Sequence, residues 1–226
     1  MITSVHIAEF GLSGGLFRGI KAANVRGLLS ADGGPLAALG PAVLPRADLK
    51  RVGMVGFWES EQALDEFLMT NPTGKKLADG WQTRLAPLRA YGSWPGLPAE
   101  TPKARTVTTD GPVAVTTLAK LKLTNAYRFF KTSAKAEARV VKSPGLIWAS
   151  GFGGLPFAAT LSLWESAQAA HDYAYGAVQP EHSDAVAVDR AKTFHREKAF
   201  VRYRILSVSG EMTSGRNPIP AFDIEG

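Results

Sequence analysis

Phe57-Trp58-Glu59-Ser60 and Leu163-Trp164-Glu165-Ser166 are two copies of one motif, and they lie 106 positions apart in a chain of 226 residues. The same offset relates the apolar positions that follow each copy. Ala63, Leu64, Phe67 and Leu68 correspond to Ala169, Ala170, Tyr173 and Ala174. A helix with its apolar face is therefore repeated together with the motif. A repeat of about 100 residues is too long for a solenoid and indicates two homologous folding units packed together.

The composition is that of an ordinary globular protein, with 45% hydrophobic and 20% charged residues. There is no cysteine, which excludes disulfides, thiolate metal ligands and cysteine nucleophiles. The first residues do not resemble a signal peptide, and the longest weakly polar stretch, 33–45, is broken by proline and glycine. We therefore expect a cytoplasmic protein. The net charge of +6 is spread among acidic residues and accompanies no nucleic-acid-binding motif, which favours a solvated basic surface.

The second copy gives the clearer order of elements. Its apolar, β-branched and glycine-rich stretches predict a strand, a helix, a hairpin of two strands, a helix capped at its start by Ser166, and, after a further helical stretch, a last strand. The stretches are 112–121, 125–141, 146–150 with 157–164, the helix after Ser166, 180–194 and 199–208. Strand, helix, strand, strand, helix, strand is the ferredoxin-like arrangement.

The first copy predicts the same order less clearly. We expect strands at 4–10, 52–58 and 88–94, a helical stretch at 17–29 and helices over 60–85. The stretch 33–49, rich in Gly, Pro and Ala, is expected to be a loop or an irregular edge. The predicted organisation is a first unit at 1–94, a linker at 95–111, a second unit with the site at 112–209 and an irregular tail at 210–226. The predicted fold class is α+β, two duplicated ferredoxin-like units forming an α+β barrel, with a candidate ligand cavity between their sheets.

Four histidines are the candidates for chemistry, because no phosphate loop, dinucleotide fingerprint, zinc spacing or nucleophile elbow is present. His171 corresponds to Asp65 and His195 lies in a polar stretch, so both are expected to be solvated. His6 alternates with Val5 and Ile7 and could face the cavity.

His182 differs from the other three histidines. It lies in the first turn of the helix opened by Pro180, on the side of Ala185 and Val186, and the first copy has no histidine in the matching region. From the residues alone, it is either a ligand or a structural histidine at the edge of an apolar stripe.

The second copy resembles the spheroidene monooxygenase family of carotenoid-oxygenating enzymes. The resemblance covers about residues 112–220 and is carried by short motifs in a shared order. They are Pro144-Gly145-Leu146-Ile147, Gly151-Phe152-Gly153-Gly154-Leu155-Pro156, Ala159-Thr160-Leu161-Ser162-Leu163-Trp164, Tyr173-Ala174-Tyr175, Pro180 with His182, Phe200-Val201-Arg202-Tyr203-Arg204 and Gly215-Arg216-Asn217-Pro218.

The resemblance implies a haem-containing enzyme related to dimeric α+β barrel proteins. Some of those proteins bind haem through a histidine on the helix that follows a tryptophan-containing strand. His182, 18 residues after Trp164, falls at that position and is the implied axial ligand of a b-type haem. Glu165 stands where a basic residue is expected.

Further site residues follow from strand alternation. Arg202 and Arg204 share one face of the last strand and could pair with haem propionates, or both could lie in solvent at the sheet rim. Arg128 is a weaker candidate. Three aromatic residues could line an apolar substrate pocket or belong to the core: Trp148, Phe152 and Phe157.

The expected function is that of a haem-dependent monooxygenase acting on a large apolar, carotenoid-like substrate. The alternatives are a cofactor-free or haem-degrading oxygenase of the same barrel superfamily, and a non-catalytic haem-binding protein. Because such a substrate is collected from a membrane, the basic surface predicts weak, salt-sensitive association with anionic lipid. The electron donor and the oligomeric state, a homo-oligomer included, stay open.

Overall fold

Eight long strands close into an antiparallel barrel in the computed structural model, which describes residues 1–44, 46–175, 195–212, 218–219 and 222–223. The strands are β1 (Ile2–Glu9), β2 (Gly19–Ile20), β3 (Leu28–Ala37), β4 (Ala47–Trp58), β5 (Trp81–Gly92), β6 (Val113–Leu121), β7 (Leu146–Gly154), β8 (Phe157–Trp164), β9 (His195–Ser209) and β10 (Phe222–Asp223). The helices are α1 (Glu61–Thr70), α2 (Pro72–Ala78), α3 (Ala126–Val140) and α4 (Ala167–Tyr175). Short 3-10 turns lie at Gly11–Leu16, Ala22–Asn24 and Leu123–Asn125.

The barrel consists of two four-stranded sheets with the same internal order. The first is β5-β1-β4-β3 and the second is β9-β6-β8-β7. In each, the first strand of the unit lies between its fourth and third strands, which is the ferredoxin-like order. The sheets join at both edges, where β5 pairs with β9 and β3 pairs with β7. The predicted α+β barrel of duplicated units is confirmed.

The repeated motif has the same structure in both halves. Trp58 ends β4 and Trp164 ends β8, and each indole Nε1 donates a hydrogen bond of 2.9 Å to a serine hydroxyl. The hydroxyl of Ser60 accepts from a backbone N–H of α1 at 3.2 Å, and that of Ser166 accepts from α4 at 3.1 Å. Each serine thus caps its helix as predicted.

A glycine supports each motif from the neighbouring strand connection. The carbonyls of Gly27 and Gly145 accept from the backbone N–H of Glu59 and Glu165, both at 2.9 Å. Their φ values are +72° and +75°, and an added Cβ would lie 2.5 and 2.6 Å from the Cβ atoms of Ala63 and Ala169. Only glycine fits both the backbone conformation and the space.

The inner faces of the two sheets share one apolar core. Among its members are Trp81, Leu85 and Tyr203, all fully buried, together with Phe57 and Leu161. Over the described residues this core packs between the two sheets. The packing of large side chains from both halves makes the interior a stabilising core.

The first copy departs from its predicted elements. Residues 17–29 form short turns and strand β2 rather than a helix, because Gly19 and Gly27 adopt positive φ. Within 33–49, residues 33–37 belong to β3 and 47–49 to β4, whereas 38–44 and 46 are irregular, so the predicted loop is only partly correct. Their glycines allow close packing: a Cβ on Gly34 would lie 2.2 Å from the backbone of Gly153 in the other half. The predicted helices end at Ala78, and β5 begins at Trp81.

The second copy follows its prediction closely over the described residues, from β6 through α3 to the β7–β8 hairpin and β9. The helical stretch predicted at 180–194 lies outside the described residues. The tail is not wholly irregular, because β10 pairs with β9. No helix in the described part of the chain is long and apolar enough to cross a bilayer.

Candidate functional site

The outer sheet faces, which carry the helices, differ between the halves at one cross-strand pair. In the first half, His6 on β1 lies opposite Met54 on β4, and both are fully buried. The matching pair in the second half is Thr117 on β6 and Thr160 on β8, and both are partly exposed. Two small side chains therefore stand where the first half has two large ones. At this pair the outer sheet face of the second half therefore carries the smaller side chains.

An arginine occupies the matching position of both outer faces. Arg84 on β5 lies opposite Ser4, and Arg202 on β9 lies opposite Val115, the residue that corresponds to Ser4. Arg84 forms ion pairs with Glu61, at 3.0 Å, and with Asp65, both on α1. The 106-residue offset puts Ala167 and His171 of α4 in the places of these two carboxylates.

Arg202 is consequently buried without an acidic partner among the described residues. Its side chain is 5% exposed, and its Nη1 donates to the carbonyl of Ala167 at 3.3 Å. Its Nε has no hydrogen-bond partner among the described atoms. Burial, and to a smaller extent the charge of Arg89, lower the pKa of Arg202.

Arg89 on β5 lies directly opposite Arg202 on β9. It is 7% exposed, its Nη1 donates to the hydroxyl of Tyr175 at 2.8 Å, and its Nε also lacks a partner among the described atoms. The guanidinium of Arg105 lies 5.8 Å from the centre of the Tyr175 ring, as does that of Arg89. Arg89, Arg202 and Tyr175, with Arg105 at the exposed side, are called the arginine cluster below.

The predicted site residues are only partly brought together. Arg202 belongs to the arginine cluster and is buried, whereas Arg204, on the same face of β9, is exposed. His182 lies outside the described residues, in the segment 176–194 that follows Tyr175, the last residue of α4. Within the described residues, no group of three or more His, Asp or Glu side chains could hold a metal ion.

Sequence reasoning missed Arg89 because β5 belongs to the first copy. A bulge between Pro87 and Arg89 lets the strand continue onto the outer face of the second half, so a residue of one copy completes a site in the other. One signal was available. An offset of 118 aligns Arg84 with Arg202, and Glu61 and Asp65, which form ion pairs with Arg84, have no acidic counterparts on α4.

The other histidines do not lie where the sequence suggested. His171 is partly buried and contacts Tyr175, with 5.0 Å between ring centres, and His195 is partly buried 5.5 Å from Phe129, so neither is simply solvated. His6 points away from the barrel interior, with Nε2 2.9 Å from the hydroxyl of Ser4. Burial, with a smaller contribution from Arg84, lowers the pKa of His6 to about 3. His6 is therefore neutral near pH 7.

The aromatic candidates belong to the core. Phe152 and Phe157 are buried in the barrel with 6.0 Å between ring centres, and Trp148 packs on Trp81 at 6.4 Å. Arg128 lies on α3, half-buried. The polar groups that the structure leaves buried and unpartnered on the outer face suit an anionic ligand, because guanidinium N–H groups recognise carboxylates and phosphates.

Fold and site together define a class: closed barrels of two ferredoxin-like halves in which one half carries the candidate site on its helix-covered face. The particular resemblance lies with two curated proteins. The spheroidene monooxygenase of Cereibacter sphaeroides is 25% identical over 186 residues, covering 80% of this chain and 56% of that protein. The spheroidene monooxygenase of Rubrivivax gelatinosus is 29% identical over 171 residues, covering 73% and 64%. The resemblance expected from the sequence is confirmed.

The chain thus spans 56% and 64% of the length of these two curated relatives. No family model matches the chain. Among solved structures, LmHde, a haem-degrading enzyme of Listeria monocytogenes, is 15% identical with a TM-score of 0.31, covering 88% of this chain and 98% of that one.

Proposed function

We propose that the protein is a haem-dependent monooxygenase that oxygenates a large apolar, carotenoid-like substrate. The similarity to two spheroidene monooxygenases over 73% and 80% of the chain supports the reaction class. The observation that carries the haem proposal is the buried Arg202, which lacks an acidic partner among the described residues and donates to the carbonyl of Ala167, the first residue of α4.

Different residues would hold the iron and the propionates of the haem. In this proposal His182 binds the iron, and Arg202 binds a propionate through its unpartnered Nε. Thr117 and Thr160 are smaller than the matching His6 and Met54 and would obstruct a ligand on this face less. When bound, haem supplies the redox chemistry by which O2 is activated for transfer of one oxygen atom.

A cofactor-free oxygenase is the second candidate, and Asp32 favours it. This residue lies on β3 opposite Val55, a member of the barrel core, so its carboxyl group faces the interior. Burial raises its pKa, although the charge of Lys120 opposes the shift. A buried carboxyl group with a raised pKa can serve as a general acid or base toward a substrate.

The visible spectrum of the purified protein, produced with haem supply, separates these candidates. The proposal expects a Soret band, and oxygenated product from an apolar polyene when O2 and a reductant are added. A colourless protein that still forms product would replace the proposal by the cofactor-free reaction. A Soret band that disappears on turnover without polyene oxidation would indicate haem degradation, and a stable band with neither reaction would indicate a haem carrier.

We propose in addition that the protein collects its substrate at an anionic membrane surface. Leu12 and Leu16, on the turn Gly11–Leu16, are 88% and 82% exposed. Leu49 on β4 is also exposed and packs beside this turn. Arg18 lies two residues after the turn, and Lys50 follows Leu49. Exposed apolar side chains beside basic residues suit insertion among lipid headgroups.

A further inference from the structure

Two buried positive charges lie side by side in the arginine cluster. Arg89 and Arg202 are cross-strand neighbours on β5 and β9, and each is more than nine-tenths buried. Like charges in direct cross-strand positions repel each other, and a buried charge is costly unless it is paired. None of the ion pairs in the described part of the chain involves either residue.

The chain contains its own comparison for this arrangement. Arg84, at the position that matches Arg202, satisfies its guanidinium with Glu61 and Asp65. In the second half these two carboxylates are replaced by Ala167 and His171, yet the arginine is kept and a second arginine faces it. The described part of the second half has therefore lost both carboxylates and gained a positive charge, and an anionic ligand would supply the negative charge that the two guanidinium groups lack there.

Both arginines keep an unused donor. Arg89 Nη1 donates to the Tyr175 hydroxyl and to the Arg105 carbonyl, and Arg202 Nη1 donates to the Ala167 carbonyl, which leaves the two buried Nε atoms without a partner among the described atoms. The Tyr175 hydroxyl accepts from Arg89, so its own proton is free to donate. Tyr175 is 45% exposed, which gives a ligand access from solvent.

We infer that Arg89, Arg202 and Tyr175 form a binding site for a carboxylate or phosphate group of a ligand. The planar forks of two guanidinium groups match the oxygen atoms of either anion. The site itself does not depend on an iron ligand at His182. Only the assignment of the site to a haem propionate rests on the proposed function. If that assignment holds, Arg89 and Tyr175 join Arg202 as haem-binding residues.

The first arm of the test uses inorganic phosphate as the probe, at constant ionic strength, with the thermal unfolding midpoint as the readout. The variants are Arg202→Gln and Arg89→Gln, and the control is Arg204→Gln, which removes the same charge from an exposed position on the same strand and face. We expect phosphate to raise the midpoint of the wild type and of Arg204→Gln in a saturable way, and to bind the other two at least about ten-fold more weakly.

The second arm distinguishes a propionate from a free anion. Haem and its dimethyl ester, in which both propionates are neutral, are titrated into wild type, Arg202→Gln and Arg204→Gln and followed by absorption. If a propionate occupies the site, the wild type prefers free haem by about ten-fold or more, and Arg202→Gln loses this preference.

The two arms have separate consequences. If phosphate stabilises the protein through Arg202 but the wild type does not prefer free haem to its dimethyl ester, the anion site is supported. In that case it serves another ligand, and only its assignment to a haem propionate is contradicted. Equal responses of Arg202→Gln and Arg204→Gln to both probes would overturn the site. If Arg202→Gln fails to fold, Arg89→Gln and Arg202→Lys, which keeps the charge but loses the fork, take its place.

Discussion

At the scale of single residues, His182 carries the sharpest prediction. His182→Ala is expected to keep the fold and to lose most of the haem, or to show a weakly ligated spectrum, because the bond to iron is lost and the chain has no cysteine to replace it. Haem content and the Soret band of the purified variant measure this. His171→Ala and His195→Ala are the controls and should change the spectrum little. An unchanged spectrum in His182→Ala, with loss in His6→Ala, would move the site to the first copy.

His6 predicts a dependence of stability on pH. Its pKa is about 3 in the folded protein and 6.5 in an exposed histidine. Between these values the unfolded chain binds a proton that the folded protein does not, so the free energy of unfolding falls as the pH drops below 6.5, by up to about 1.4 kcal/mol per pH unit. Above that value the contribution is constant.

Urea unfolding of wild type and His6→Gln at pH 7 and pH 5 tests this. The wild type should lose about 2 kcal/mol more than the variant between the two values, because glutamine does not titrate. Equal losses would show that the pKa of His6 in the folded protein is close to that in the unfolded chain.

At the scale of elements, the paired glycines next to the two tryptophan motifs predict matched effects. Gly27→Ala and Gly145→Ala each place a Cβ at positive φ, within 2.6 Å of an alanine side chain in α1 or α4. Each should lower the free energy of unfolding by about 1–3 kcal/mol. Gly40→Ala is the control, because an added Cβ there meets nothing within 4 Å and φ is not positive. Similar unfolding curves for Gly145→Ala and Gly40→Ala would contradict the packing argument.

The same glycines show how far the sequence determines the elements. In the second copy, the predicted bounds of β6, α3 and β8 agree with the structure within one residue, because local pattern and tertiary packing agree there, whereas β7 and β9 extend four residues beyond one predicted end. In the first copy, Gly33 and Gly34 suggested a loop, but both lie in β3. They are glycine because the ring of Phe17 and the backbone of Gly153 approach too closely for a side chain. Local propensity does not contain that contact.

The candidate site was predictable only in part for a related reason. Strand alternation identified Arg202 and Arg204 as sharing a face, but it does not tell which of them the fold covers. Arg89 belongs to the first copy and reaches Arg202 because β5 pairs with β9 and has a bulge between Pro87 and Arg89. Only the closed barrel brings it to Arg202, so a residue of this kind is found from topology rather than from motifs.

At the scale of the whole molecule, the barrel joins its halves through two seams, β3–β7 and β5–β9. These seams let one half supply residues to the other, as Arg89 does. They also leave both helix-covered faces pointing outward, so the arginine cluster and the exposed turn Gly11–Leu16 both lie outside the barrel interior. A substrate taken from a membrane would therefore reach the proposed site without crossing the packed core.

The turn Gly11–Leu16 predicts how the protein meets a bilayer. Anionic vesicles at low salt should carry the wild type upward in a flotation gradient, and added salt should release it, because basic residues supply part of the attraction. Leu12→Ser with Leu16→Ser should reduce the floating fraction several-fold by removing the exposed apolar contacts. Leu123→Ser is the matched control, since Leu123 is 62% exposed on a different turn. If the wild type does not float at low salt, or if the control loses binding as strongly as the double variant, this turn is not the docking surface and the positive charge serves solubility alone.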